Sequence, residues 1–275
     1  MKYGLVLTIT TLFFLAGCGS SEVVTNLPPE ERFAKAKQLF DDEDYLEAIN
    51  EFTVITLQYQ GSSVAADAQF YLAEARFMRH EYLLASYEYQ TLKRNMGASS
   101  RVPEAQYKLG LCFYNLSPKS RLDQQYTKKA IDELQAYVEY YPNDARVGDA
   151  TEKIRELTTR LAKKEYDSAE LYATLDYHKA ALAYYDNVIE KYHDTEYAPL
   201  SYLGKTELLM GRKKYREAKV EITRFLDRFP NSVLRSRGDK LNEQIDSELK
   251  SLPSVNDTTS GGASNSSNAN LLRTN

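Results

Sequence analysis

Tryptophan is absent from this 275-residue chain, cysteine occurs twice and histidine three times. With Cys18 near the start and Cys112 far from it, no disulfide framework is available. His80, His178 and His193 are scattered, which argues against a zinc site, and no metal ligand is assigned. Glycine (12) and proline (8) are sparse, a composition that suits long helices better than a turn-rich all-β fold. No sign of charge dominates: the net charge is -4, so composition gives no argument for nucleic acid. No Gly-rich phosphate loop, HExxH or GxSxG occurs, so no catalytic residue and no cofactor is expected.

Long apolar runs are also missing, with one exception at the start. Met1-Lys2 is followed by the apolar stretch Gly4–Ala16, 13 residues long. That length fits the core of a signal peptide and is short for a membrane span. Leu15-Ala16-Gly17-Cys18 then resembles the lipobox of a bacterial lipoprotein. The expectation is a signal peptide over 1–17, cleaved before Cys18, whose thiol carries the lipid. An ordinary secretory leader with an incidental cysteine is the alternative. Residues 18–27 read as a lipidated tether; Gly19–Asn26 would reach roughly 28 Å when extended. At the other end, 251–275 is rich in Ser, Asn, Thr and Gly and is expected to be a disordered tail.

What is abundant is tyrosine, 22 residues of it, and it recurs in a pattern. Five stretches each place a Tyr before an Ala, and a large apolar residue four positions after that Ala. They open at Tyr45, Tyr82, Tyr126, Tyr177 and Tyr215. The pairs are Ala48–Phe52, Ala85–Tyr89, Ala130–Leu134, Ala180–Tyr184 and Ala218–Ile222. Spacing of four puts each pair on one helix face, and alanine suits a close helix–helix approach. The alanines lie 37, 45, 50 and 38 residues apart. Each stretch follows another helical pattern and a polar turn, and Tyr141-Pro142-Asn143 and Phe229-Pro230-Asn231 close modules with nearly the same tripeptide. The pattern resembles tetratricopeptide (TPR) repeats. The expected fold is all-α: a TPR-like superhelix of about five helix pairs over 28–250, a class whose grooves bind peptides and proteins.

The remaining polar features have ordinary explanations beside sharper ones. The acidic turn Asp41–Asp44 reads as solvated, and Cys112 in an apolar helix reads as core. The basic run Arg155, Arg160, Lys163 and Lys164 is either a solvated helix face or a docking surface for an acidic partner.

The stretch Tyr141–Tyr172 is the most distinctive. Its Y-P-N-D closure, Asp149-Ala150, RLAKKEY at Arg160–Tyr166 and AELY at Ala169–Tyr172 resemble the BamD family. These are ComL/YfiO-type TPR lipoproteins of the outer-membrane β-barrel assembly (Bam) machine. The lipobox, repeat count and length agree with that resemblance; the SPKSRLDQQ loop, shorter than in the best-known members, and the Ser/Asn-rich tail depart from it.

The resemblance implies a non-catalytic subunit, lipid-anchored in the outer membrane on its periplasmic side. It implies binding to a POTRA domain of BamA and to unfolded outer-membrane β-barrel proteins, with other Bam lipoproteins as further partners. Arg155, Arg160, Lys163, Lys164 and Tyr166 become candidates for partner binding. Tyr59, Phe70, Tyr71 and Phe77 become candidates for a peptide groove, or else simply fill the core. A different periplasmic TPR lipoprotein, tied to cell-wall enzymes or Tol–Pal, is the alternative.

Overall fold

The computed structural model describes residues 27–252. The expected signal peptide and lipidated tether as far as Asn26, with Cys18, and the expected tail from Pro253 onward lie outside the described residues. Among the described residues there are eleven α-helices and no strand. They are α1 (Pro29–Asp41), α2 (Tyr45–Gln58), α3 (Ala65–Met78), α4 (Tyr82–Asn95), α5 (Val102–Leu116), α6 (Gln125–Tyr140), α7 (Val147–Thr174), α8 (His178–Lys191), α9 (Tyr197–Gly211), α10 (Tyr215–Arg228) and α11 (Arg235–Ser251). The first ten form five consecutive helix–turn–helix pairs, and α11 follows them. The chain divides into two compact units, one ending at Cys112 and one beginning at Phe113.

Small residues allow the helices to pack closely. Ala48, Ala85, Ala130, Ala181 and Ala218, on the second helix of each pair, are all completely buried. Four of them are the fourth residue of their helix. One expectation needs correcting here: in the fourth repeat Ala180 and Tyr184 are only partly buried, and the core pair is Ala181–Tyr185. The doublets Ala180-Ala181 and Tyr184-Tyr185 offer two registers at the same spacing, and only packing selects one. The turns agree with the selected register. The helix-ending residues Tyr59, Met96, Tyr141, Tyr192 and Phe229 each accept a backbone bond from the residue three positions on. They lie 37, 45, 51 and 37 residues apart, as do the five buried alanines in the corrected register.

Within four of the five pairs the turn is the same structure. Glu43, His80, Asp176 and Lys213 have φ of 64°, 61°, 60° and 57°. In each turn that residue's N–H bonds three residues back and the next N–H bonds five residues back, as in Asp44 N to Leu39 O (2.8 Å) and Lys214 N to Leu209 O (2.9 Å). This is a Schellman closure, in which glycine usually occupies the left-handed position. None of the four is glycine, so each turn carries a steric cost that its two capping bonds offset.

Unit 1 centres on Phe52, Ile55, Leu72 and the small Ala36, Ala48, Ala68 and Ala75. In unit 2, Leu203, Ile222, Phe225 and Ile245 form one cluster, and Ala169, Ala181 and Tyr185 another. Gly204 belongs to this second region for a visible reason: a Cβ there would lie 2.7 Å from Tyr185 Oη. Cys112 is fully buried, and burial pushes its thiol far above the ordinary range, which suits a core residue. No described helix is long and apolar enough to cross a membrane.

Candidate partner-binding surfaces

The long helix α7 carries the basic candidates, but their roles diverge. Arg160 and Lys164 point back at the Ser117–Gln124 loop. Arg160 Nη1 donates to Ser117 Oγ (2.6 Å) and to the Ser117 carbonyl (3.2 Å), while its Nη2 bonds Glu156 (2.7 Å). Lys164 Nζ donates to the Leu122 carbonyl at 2.8 Å. Gln124 closes the same loop from within, bonding the carbonyls of Lys119 (2.9 Å) and Leu122 (3.0 Å). Two of the four basic residues therefore hold a loop that carries too few backbone bonds of its own.

Arg155 and Lys163 remain on the surface. Arg155 pairs with Glu152 on the exposed face of α7, a contact of small worth in water. Lys163 pairs with Asp167 (3.0 Å) and lies 5.7 Å from the centre of the Tyr197 ring. Tyr166 turns inward, its ring 6.2 Å from Tyr185 and 5.6 Å from Tyr197; burial first, and Glu170 second, push its phenol up to about 12. The five residues thus do not form one free patch: two clamp a loop, one packs in the core, and two face solvent.

The four aromatic candidates of unit 1 are largely interior. Phe70 is buried, in edge contact with Tyr71 and Tyr89. Tyr71 stacks on Phe52 at 5.9 Å and meets Phe33 and Phe40 edge-on. Arg101 lies over both Phe70 (5.0 Å) and Tyr71 (5.4 Å) and bonds Asp67 at 2.7 Å. Phe77 meets Tyr82 edge-on and sits under Lys108, and Tyr59 packs partly buried against the same core as Tyr71. Half-buried rings below a guanidinium keep a polar-capped aromatic surface, but most of their area is used internally.

Sequence reasoning missed an open apolar groove of about 650 Å³ in unit 2. It is lined by Tyr172 and Leu208 with Tyr177, Leu182 and Tyr184. Tyr172 and Tyr184 stack at 5.3 Å with their planes 15° apart. Tyr177 is 63% exposed, with Leu171 (57%) and Leu175 (52%) nearby in the chain. The signal in the sequence was LYATLDYH: apolar residues running through a helix end and its turn, where a polar turn is the norm.

The helix pairs, their buried alanines and their common turn make this a TPR-like helical-repeat protein. Residues 25–222 match the YfiO family, described as an outer membrane lipoprotein, and the chain belongs to that family. It is 23% identical over 210 residues to the outer membrane protein assembly factor BamD of Vibrio cholerae, covering 72% of this chain and 87% of that protein. BamD of Rickettsia prowazekii is 24% identical over 220 residues, covering 79% and 88%. Among solved structures, the TPR2A–B domain complex of yeast Sti1 is 15% identical, covering 81% of this chain and 84% of that one, with a TM-score of 0.41.

Proposed function

We propose that this chain is a non-catalytic lipoprotein subunit of the outer-membrane β-barrel assembly complex. Membership of the outer membrane lipoprotein family over residues 25–222 carries this reading, supported by relatives named as BamD assembly factors. In it, Cys18 carries the acyl chains and holds the protein on the periplasmic side of the outer membrane; more than one chain is needed for stable anchoring. The solvent-facing cations of α7, Arg155 and Lys163, dock on acidic residues of a BamA POTRA domain, while Arg160 and Lys164 support that face by fixing the loop beneath it. The half-buried aromatic face around Tyr71 and Phe77 in unit 1 offers contacts to extended segments of unfolded barrel proteins.

Affinity purification of the tagged full chain from membranes tests this. The expected result is co-purification of BamA, weakened by Arg155→Glu with Lys163→Glu, both exposed positions. Undiminished recovery of BamA by that double variant would remove α7 as the docking face. Recovery of cell-wall amidases or Tol components without BamA would overturn the whole reading. The anchor is tested separately: Cys18→Ala should take up no labelled palmitate, and continued labelling would refute lipidation there.

A further inference from the structure

The groove of unit 2 combines two features that the repeat fold does not require. The first is its apolar floor. Repeats two and four are related by a constant shift of 96 residues: His80 to Asp176, Ala85 to Ala181, and Tyr89 to Tyr185. At the positions of Tyr172 and Tyr184, repeat two carries Arg76 and Glu88, an ion pair at 3.3 Å. Repeat four replaces that pair with stacked rings opening on about 650 Å³, room for several side chains of a bound segment and within the range of small-ligand pockets. The second is the rim. Lys179 and Arg212 line the groove and Lys213 lies beside it; none makes an ion pair among the described residues, and all three are exposed. Among the described residues Asp176, 90% exposed, is the only acid lining the groove, and it lies 3.8 Å from His178; Glu207, beside Lys213, is paired with Arg237 (2.7 Å), and Lys214 at the groove edge is paired with Glu217 (2.9 Å). A chain of net charge -4 thus gathers unpaired positive charge around its apolar groove.

We infer that this groove binds an acidic peptide segment that inserts an aromatic or aliphatic side chain between Tyr172, Tyr184 and Leu208. Its carboxylates meet Lys179, Arg212 and Lys213. An apolar anchor surrounded by rim charge is the usual arrangement of a protein interface: the anchor supplies most of the affinity, and the charges supply selectivity and on-rate. The site shares no residue with α7's exposed cations or with the aromatic face of unit 1, so it stands or falls independently of the proposed complex.

The test is fluorescence anisotropy with the full chain and a labelled short peptide carrying a Leu-Phe pair flanked by Asp and Glu. A matched peptide with those acids replaced by Lys serves as the comparison. Saturable, salt-sensitive binding of the acidic peptide alone is expected. Arg212→Glu with Lys179→Glu, both exposed, should weaken it about tenfold or more, about 1.4 kcal/mol per tenfold. Tyr172→Arg with Tyr184→Glu, which copies the pair of repeat two, should abolish it while leaving the thermal unfolding curve in place. Equal binding of both peptides, or unchanged binding by the charge-reversed variant, would overturn the inference. So would binding that appears only after removal of residues 253–275, which would make the chain's own Leu271-Leu272 the occupant.

Discussion

Repeats two and four are built on one plan yet present different surfaces. In each, the buried tyrosine of the second helix donates its hydroxyl to a glutamate fifteen residues earlier, Tyr89 to Glu74 and Tyr185 to Glu170. In each, a non-glycine residue closes the turn in the left-handed region. Their differences lie one layer out. Glu74 also accepts a bond from Lys108 at 2.8 Å, whereas the position 96 residues on is Gly204, pressed against the Tyr185 ring. The Arg76–Glu88 ion pair of one becomes the Tyr172–Tyr184 stack of the other. The alanine, the tyrosine and the turn thus specify the pair of helices. The residues one layer out then decide whether the same pair shows a charged surface or an apolar groove.

The comparison is most sharply tested at the buried alanines. Ala85→Leu and Ala181→Leu should each cost about 3 kcal/mol, because neither site has room for added methylenes. Ala180→Leu should cost under about 1 kcal/mol, since Ala180 lies at the groove edge. Denaturant unfolding measures all three, and equal costs at positions 180 and 181 would break the assigned register.

A smaller effect is expected where the two repeats differ. Gly204→Ala should cost about 2 kcal/mol by forcing the Tyr185 ring aside. Lys108→Ala, at the matching position, should cost less because it removes a contact without creating a clash. A thermal melt in which the alanine at 204 is the milder change would show that Tyr185 moves freely.

The shared tyrosines follow. Tyr89→Phe should cost about 2 kcal/mol, since Tyr89 is fully buried and its hydroxyl bonds a charged group. Tyr185→Phe should cost about 1 kcal/mol, because Glu170 is exposed and water can replace the lost partner. Equal losses in urea titrations would mean that exposure of the acceptor is irrelevant.

The smallest change is a gain. Glu43→Gly or Lys213→Gly should stabilise by about 0.5–1 kcal/mol, the relief of left-handed strain less the added freedom of the unfolded chain. Asp176→Gly should gain less, because aspartate tolerates that region. A loss at all three sites, read from the midpoint of thermal unfolding, would show that the side chains stabilise these turns.

Much of the scaffold was legible before any coordinates. Alanine and a large apolar residue four apart mark a helix face that must approach another closely, and YPND and FPNS mark where helices stop. The turns within pairs were harder: without glycine, Asp42–Asp44 or Arg212–Lys214 reads as a polar linker, and only backbone bonding reveals the common closure. The candidate sites were the least legible. RLAKKEY reads as one basic stripe, yet Arg160 and Lys164 are committed to loop carbonyls 42 or more residues away in the chain. Tyr71 and Phe77 read either as a binding face or as core; most of their contacts are internal, and both stay half-buried.

Helix periodicity, turn chemistry and short motifs are local properties, so the order of residues alone specifies a helical-repeat chain with a lipobox-like motif near its start. Tertiary structure decided the rest: which of two adjacent alanines faces the core, which lysines and arginines remain free, and that Tyr172, Tyr184 and Leu208 share one groove. Those outcomes depend on atoms brought together from distant positions, where volume and hydrogen-bond supply, unlike residue type, select one arrangement.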